Sequence, residues 1–302
     1  MSAIIETFSL TKHYPKGVVG VEDLTVSVQQ GEIYGFLGSN GAGKTTTIRL
    51  LLNLLFPSSG GAKIFGYDAV KGHLDISRRI GYLPSAVRPF KHMSGGDFLD
   101  YMGSFYPDVD VENRRRLLER FEFAGRDLKR KVKDYSSGMA RKIAIIQAFQ
   151  HNPELVVLDE PTEGLDPVMQ HRFYQLLRDF RQEGGTVFIS SHHLREVERV
   201  CDRAAIIRDG RLVTVETVQH LLERMAPMIY VTFAQPVNKE QLADEAWEIT
   251  EINGLGLTAR LTGDINRVVR LLGRFQLKSL SLPPLSLEDV FLGYYREENN
   301  DG

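Results

Sequence analysis

The chemistry of this chain is most concentrated in Gly38-Ser39-Asn40-Gly41-Ala42-Gly43-Lys44-Thr45, which fits G-x-x-x-x-G-K-[ST] throughout. Glycines accept positive φ and close approach, so successive backbone N–H groups can turn toward phosphate oxygens. A helical pattern follows, and its N-terminal dipole adds to the attraction. Lys44 can reach β- and γ-phosphates, and the Thr45 hydroxyl can ligate Mg²⁺. The phosphate-binding set is thus Gly38, Ser39, Asn40, Gly41, Ala42, Gly43, Lys44, Thr45 and Thr46. A second constellation, Leu155-Val156-Val157-Leu158-Asp159-Glu160, ends four apolar residues on two carboxylates. Asp159, at the carboxyl end of a buried strand, can hold Mg²⁺ directly or through water. Glu160, one residue on, can take a proton from an attacking water. Together these predict a nucleoside triphosphate site, with kinases, GTPases and ATPases all open.

Strands must hold both constellations. Short β-branched runs at 32–37, 80–83, 155–159, 186–190 and 204–207 alternate with amphipathic stretches, the pattern of an α/β layer structure. The runs at 155–158 and 187–189 are continuously apolar, as parallel strands buried on both faces require. Residues 4–8 and 21–28 alternate apolar with polar, which predicts a half-exposed antiparallel sheet beside the main one. From about 88 to 152 the apolar spacing turns helical, at 97–105, 113–123 and 138–150, predicting a helical insertion.

Between and after the two constellations stand further short motifs. Tyr135-Ser136-Ser137-Gly138-Met139 precedes an amphipathic helix, Glu163-Gly164-Leu165-Asp166 follows the carboxylates, and Ser190-Ser191-His192 ends a strand. Their order and form resemble the signature motif, D-loop and switch-histidine loop of ATP-binding cassette (ABC) proteins. Tyr14, in Leu10-Thr11-Lys12-His13-Tyr14, resembles the aromatic residue on which the adenine stacks. The resemblance covers about residues 4–215 and implies ATP with Mg²⁺ as ligands. It implies that His192 contacts the γ-phosphate and attacking water. Ser136, Ser137 and Gly138 would bind the γ-phosphate held by a partner cassette, so that two cassettes close head to tail. Asp166 would cross that interface; before Pro167 it also fits a helix N-cap, and both roles can hold. His193 has no motif position and reads as structural.

Two positions depart from the family pattern. Ser85 stands after Ile80-Gly81-Tyr82-Leu83-Pro84 where the family often has Gln or Glu. Its hydroxyl is too short to reach metal or water from the same backbone, so either a water fills the gap or coupling to the helical insertion is altered. In the signature, Ser137 replaces a glycine and Met139 a glutamine. This S-x-G-M form is similar to that of antibiotic-resistance and sodium-export cassettes. With Glu160 present, hydrolysis is expected as well as binding.

The 302 residues allow about two domains. Composition divides them into a 1–224 cassette and a 225–302 accessory region. The latter has strand patterns at 228–233, 247–252, 257–261 and 277–282 and helical ones at 239–244 and 265–275. That order predicts a small α+β ferredoxin-like extension. A short helix at 287–295 and an acidic tail follow; Ser286-Leu287-Glu288-Asp289-Val290-Phe291-Leu292 resembles a segment at the end of exporter cassettes. Lys and Arg number 37 against 39 Asp and Glu, a net charge of −2 that leaves no excess for nucleic acid. Arg114-Arg115-Arg116 and Lys129-Arg130-Lys131-Val132-Lys133 read as solvated helix faces. The single cysteine, Cys201, excludes an internal disulfide and reads as buried and inert, and Trp247 as a core residue. No signal peptide or spanning helix is expected, so the chain reads as cytoplasmic and peripheral to the membrane through a separate transmembrane permease subunit. The resulting expectation is the ATP-hydrolysing subunit of an ABC exporter, paired with itself or a paralogue. A soluble ABC ATPase and a regulatory ATP-binding module are the alternatives.

Overall fold

The computed structural model describes residues 2–86, 90, 92–107, 109–223, 227–283 and 287. The chain divides into two compact units at Val218/Gln219, against the 224/225 read from composition.

The first unit is built on a six-stranded sheet. Its order is Arg211–Thr217, Arg203–Arg208, Ile33–Leu37, Thr186–Ser191, Leu155–Asp159, Ile80–Leu83. All neighbours are parallel except the antiparallel edge strand Arg211–Thr217. Every residue of Ile33–Leu37, Leu155–Asp159 and Thr186–Ser191 is buried, which is why these strands read as unbroken apolar runs. The register decides the placement of the chemistry. Leu37 pairs with Ser191, Asp159 with Ser190 and Leu83 with Leu158. The loops that follow, carrying Gly38, His192, Glu160 and Ser85, therefore leave one edge of the sheet together.

A second, antiparallel sheet is organised around Ala3–His13, paired with Val19–Leu24, Ser27–Gln29 and Ser59–Ile64. The alternating run expected at 21–28 is thus two strands. The gap between them is closed by a side chain: buried Thr7 donates to the Leu24 carbonyl at 2.9 Å and accepts from Val26 N–H at 2.9 Å. One core joins the two sheets, with Ile5, Val21 and Leu24 packed among Phe36, Val157 and Phe188.

The helical insertion holds Gly95–Gly103, Val111–Arg120, Gly125–Leu128 and Ser137–Phe149. The longer helices begin earlier than their apolar spacing predicts, because side-chain caps set their starts. Ser94 accepts from Asp97 N–H, Asp110 from Glu112 and Asn113 N–H, and Ser136 from Met139 N–H. The basic runs differ from expectation in two respects. Arg115 and Arg116 are surface residues paired with Glu112, but Arg114 is 18 % exposed and bound to Asp100 and the Leu99 carbonyl. Residues 129–133 lie in a loop and the 3₁₀ turn Val132–Asp134, not on a helix face. Cys201 is buried, and burial pushes its thiol up, away from reactivity.

The second unit carries a four-stranded antiparallel sheet, ordered Trp247–Asn253, Gly256–Leu261, Met228–Phe233, Leu277–Ser281. Helix Ile265–Leu272 covers it through Val268 and Leu272. The helix expected at 239–244 is a single 3₁₀ turn, Lys239–Leu242, opened by an Asn238/Gln241 capping box and ended where Ala243 returns to extended backbone. Trp247 is in this core and donates to the Leu242 carbonyl at 2.8 Å. The helix expected at 287–295 lies outside the described residues apart from Leu287. Among the described residues, no helix is long and apolar enough to cross a membrane.

Candidate functional site

Strand Ile33–Leu37 delivers the chain to Gly38, and helix Lys44–Leu51 carries it away. Two glycines of the loop are required by space. A Cβ on Gly38 would lie 2.5 Å from the Ile207 carbonyl oxygen, and one on Gly43, at φ 106°, would lie 2.4 Å from that of Gly20. Gly43→Ala is therefore expected to cost on the order of 3 kcal/mol in urea unfolding, from left-handed strain and overpacking together. Gly41 has open space around it, and its φ of 85° alone calls for glycine. Gly43 caps the helix without a side-chain bond, which leaves the first-turn N–H groups facing the loop.

Lys44 is 6 % exposed, and its Nζ donates to the Gly38 and Ser39 carbonyls at 2.7 and 3.2 Å. The same ammonium lies 3.2 Å from Glu160 Oε1. Thr45 Oγ1 donates to Asp159 Oδ2 at 3.0 Å, and Ser190 Oγ to Asp159 Oδ1 at 2.5 Å. Fully buried Asp159 is thus gripped from the loop and the neighbouring strand. Glu160 sits at φ 48°, a left-handed conformation unusual for a side-chain-bearing residue, with its N–H held by the Ser190 carbonyl at 3.1 Å. That backbone turns its carboxylate toward Lys44 on one side and His192 on the other. Glu160 Oε2 lies 2.7 Å from His192 Nδ1 and accepts from His192 N–H at 3.4 Å. Its Oε1 is buried and has only the Lys44 ion pair. The His193 ring lies against His192, tilted by 39° with ring centroids 3.9 Å apart.

Lys44, Thr45, Asp159, Glu160 and His192 are therefore brought together, each from a different loop or strand end except for the adjacent pairs. The oxygen set of Thr45 and Asp159 suits a hard divalent cation, and Lys44 with the helix N-terminus suits phosphate. Tyr14 borders the same region. Its Oη is 3.3 Å from Thr46 Oγ1, and its ring crowds Gly20, where a Cβ would meet Tyr14 Cε2 at 2.7 Å. Ser39 and Asn40 form the exposed crest of the loop, and Ala42 is buried beneath it.

Ser136, Ser137 and Gly138 are not part of this cluster. Ser136 caps its own helix, and Gly138 and Ser137 lie against Gly164; among the described residues, none of their hydrogen bonds reaches the 38–45 loop. Asp166 caps helix Pro167–Gln182, accepting from Met169 N–H at 2.9 Å. Its carboxylate is engaged there, and the residue is exposed.

Three side chains at this edge escaped the sequence reading. In the sequence Ser190 is only one member of a motif; in the fold its hydroxyl holds Asp159. Glu196, 3 % exposed, accepts from Ser191 Oγ at 2.6 Å, and burial pushes its carboxyl up to about 7. Arg141, 4 % exposed, binds three carbonyls described below. Glu196 and Arg141 are charged residues on amphipathic helices, where sequence alone predicts a solvated face.

The ABC transporter family profile matches residues 21–163, a span holding the phosphate loop, the signature segment and both carboxylates. The chain is 33% identical to a Nod factor export ATP-binding protein I of Burkholderia thailandensis, over 99% of this chain and 99% of that protein. It belongs to the ATP-binding subunits of ABC transporters. A bacitracin transport ATP-binding protein of Bacillus licheniformis is 39% identical over 74% of this chain and 73% of its own length. A solved ATP-binding subunit of an ABC transporter superposes with a TM-score of 0.68 at 29% identity, covering 73% of this chain and 92% of that one. The P-loop cassette fold expected from the motifs is therefore shown for the first unit of this ABC subunit.

Proposed function

We propose that this subunit hydrolyses ATP in a head-to-tail pair of cassettes and drives export through a separate membrane-spanning subunit. The observation that carries the reading is the Lys44–Glu160–His192 chain, set beside the Thr45–Asp159 pair at one sheet edge. Lys44 and the loop amides bind the phosphates, and Tyr14 faces the adenine. Thr45 and Asp159 would hold Mg²⁺, which when bound neutralises phosphate charge. Glu160 accepts a proton from the attacking water, and His192, hydrogen-bonded to that carboxylate, fixes its direction and meets the γ-phosphate. Ser136, Ser137 and Gly138 stand apart from this chain's own phosphate loop, as residues serving the nucleotide of a partner cassette must. Asp166 stands exposed at the start of its helix, open to a second copy. Export is supported by the bacitracin-transport and Nod-factor-export relatives.

The test is recovery of tagged Glu160→Gln from solubilised native membranes in ATP and Mg²⁺. A multi-spanning protein should come with it in stoichiometric amount. ATP should also convert the purified variant from monomer to dimer in light scattering. Adding Ser136→Arg should abolish that dimer by placing a bulky side chain where the partner's phosphate must dock. Recovery of soluble proteins or ribosomes alone would move the reading to a soluble ABC ATPase.

A further inference from the structure

Arg141 lies in helix Ser137–Phe149, just after the signature residues, yet it is buried and its hydrogen bonds go to main-chain oxygens of other segments. Nη1 donates to the Pro84 carbonyl at 2.9 Å and Nη2 to the Ser85 carbonyl at 2.7 Å. Nε donates to the Glu163 carbonyl at 3.1 Å, with the Glu163 carboxylate 4.0 Å from Nη2. The first two acceptors follow strand Ile80–Leu83, beyond the end of the sheet ladder, and have lost their β partners. The third lies in the loop that begins at Glu160. A planar fork presents its N–H donors from three separate nitrogens and so meets Pro84, Ser85 and Glu163 at once; an ammonium has its three donors on one nitrogen and cannot match those three positions together. Burial pulls the guanidinium's pKa below its ordinary value, and the carboxylates of Glu163, Asp159 and Glu160 oppose that pull.

The geometry points to Arg141 as the positioning residue that ties the 84–85 segment and the loop after Glu160 to the helix bearing Ser136–Gly138. In this chain the link at position 85 runs through the main-chain carbonyl, which makes the short Ser85 side chain dispensable. A displacement of either loop carries the signature helix with it, because both loops hang on one rigid side chain. This rests on the hydrolytic reading above and names the residue that couples its parts.

The test uses the full chain with Arg141→Met, Arg141→Lys and Ser85→Ala. Hydrogen–deuterium exchange of peptides containing Ser85 and Glu163 is read without nucleotide, the Kd for ATP with Mg²⁺ by calorimetry, and kcat by phosphate release. Arg141→Met should speed exchange in both peptides roughly tenfold and lower kcat roughly 10- to 100-fold, the change expected for a lost charge-assisted hydrogen bond. Its Kd should stay within about threefold, because Arg141 touches none of the phosphate-loop residues. Arg141→Lys, serving one segment at a time, should recover part of kcat. Ser85→Ala should stay within about twofold of the wild type in all three readings. Unchanged exchange and kcat in Arg141→Met would overturn the role, as would a loss in Ser85→Ala equal to that in Arg141→Met. If Arg141→Met lacks a cooperative melt, Arg141→Lys decides: reduced kcat at unchanged KM supports the role, and wild-type kcat overturns it. A wild-type chain that binds ATP without turnover would sink the hydrolytic reading alone. The exchange rates would then decide the role of Arg141 by themselves.

Discussion

Glu160→Gln is expected to lower phosphate release roughly 10²- to 10⁴-fold, the range for loss of a general base, while ATP binding survives. The substitution keeps the shape of the side chain and removes its capacity to take a proton. The amide oxygen can still accept from Lys44 and the amide nitrogen can donate to His192 Nδ1, so the chain Lys44–Glu160–His192 keeps its partners at the loss of the long 3.4 Å bond from His192 N–H. The strained backbone at φ 48° is held by the Ser190 carbonyl and does not depend on the side chain's charge. Removing a negative charge beside the phosphate site should, if anything, tighten ATP binding. Single-turnover phosphate release and calorimetric titration separate the two effects. A release rate within about threefold of the wild type would dismiss Glu160 as the base.

The second large effect is a pair of opposed pH dependences buried in the first unit. Burial pushes the Glu196 carboxyl up from 4.5 to about 7, so the folded chain holds a proton that the unfolded chain has released. Stability from this group is fully present below about 4.5 and is lost as pH rises to about 7, on the order of 3 kcal/mol in all. His151 acts the other way. It stacks on Tyr106 at 3.5 Å, its Nδ1 is buried without a partner, and burial lowers its pKa from 6.5 to about 4. The folded chain therefore refuses a proton that the unfolded chain accepts. Stability from this group is present above about 6.5 and is lost as pH falls to about 4, again on the order of 3 kcal/mol.

Between pH 4.5 and 6.5 the two slopes oppose each other, so the wild type should show a flatter profile than either variant. Glu196→Gln should gain stability at pH 8 and lose it more steeply on acidification, because the opposing slope of Glu196 is gone while that of His151 remains. His151→Gln should show the reverse, with stability falling as pH rises toward 7. Urea unfolding of the first unit's transition at pH 5, 6, 7 and 8 checks both. A difference profile between Glu196→Gln and wild type that is flat across this range would remove Glu196 from the account.

The insertion helices, the 21–28 run and Arg114 show what local patterns omit. The helices of the insertion start at Ser94, Asp110 and Ser136 caps, whereas apolar spacing registers only the first inward-facing residue. The run 21–28 reads as one strand because its alternation continues. It is cut where the Thr7 hydroxyl, distant in sequence, takes the Leu24 carbonyl and the Val26 N–H. Arg114 reads as solvated among three arginines, and only the packing of its helix and of Gly95–Gly103 on the shared helix Ser137–Phe149 brings it to Leu99 and Asp100.

The phosphate loop, the family and the α/β class of the first unit are legible in the linear chain. Phosphate recognition needs contiguous residues on one loop, and buried parallel strands announce themselves as unbroken apolar runs. How those pieces act on one another depends on long-range packing. Thr45 meets Asp159 across 114 positions of chain, and Arg141 meets Pro84 across 57. Sheet register, not local propensity, brings the four loops to a common edge. Burial of Arg141 and Glu196 is likewise a property of the packed layers, since a charged residue carries no local mark of the carbonyls or hydroxyl that will receive it.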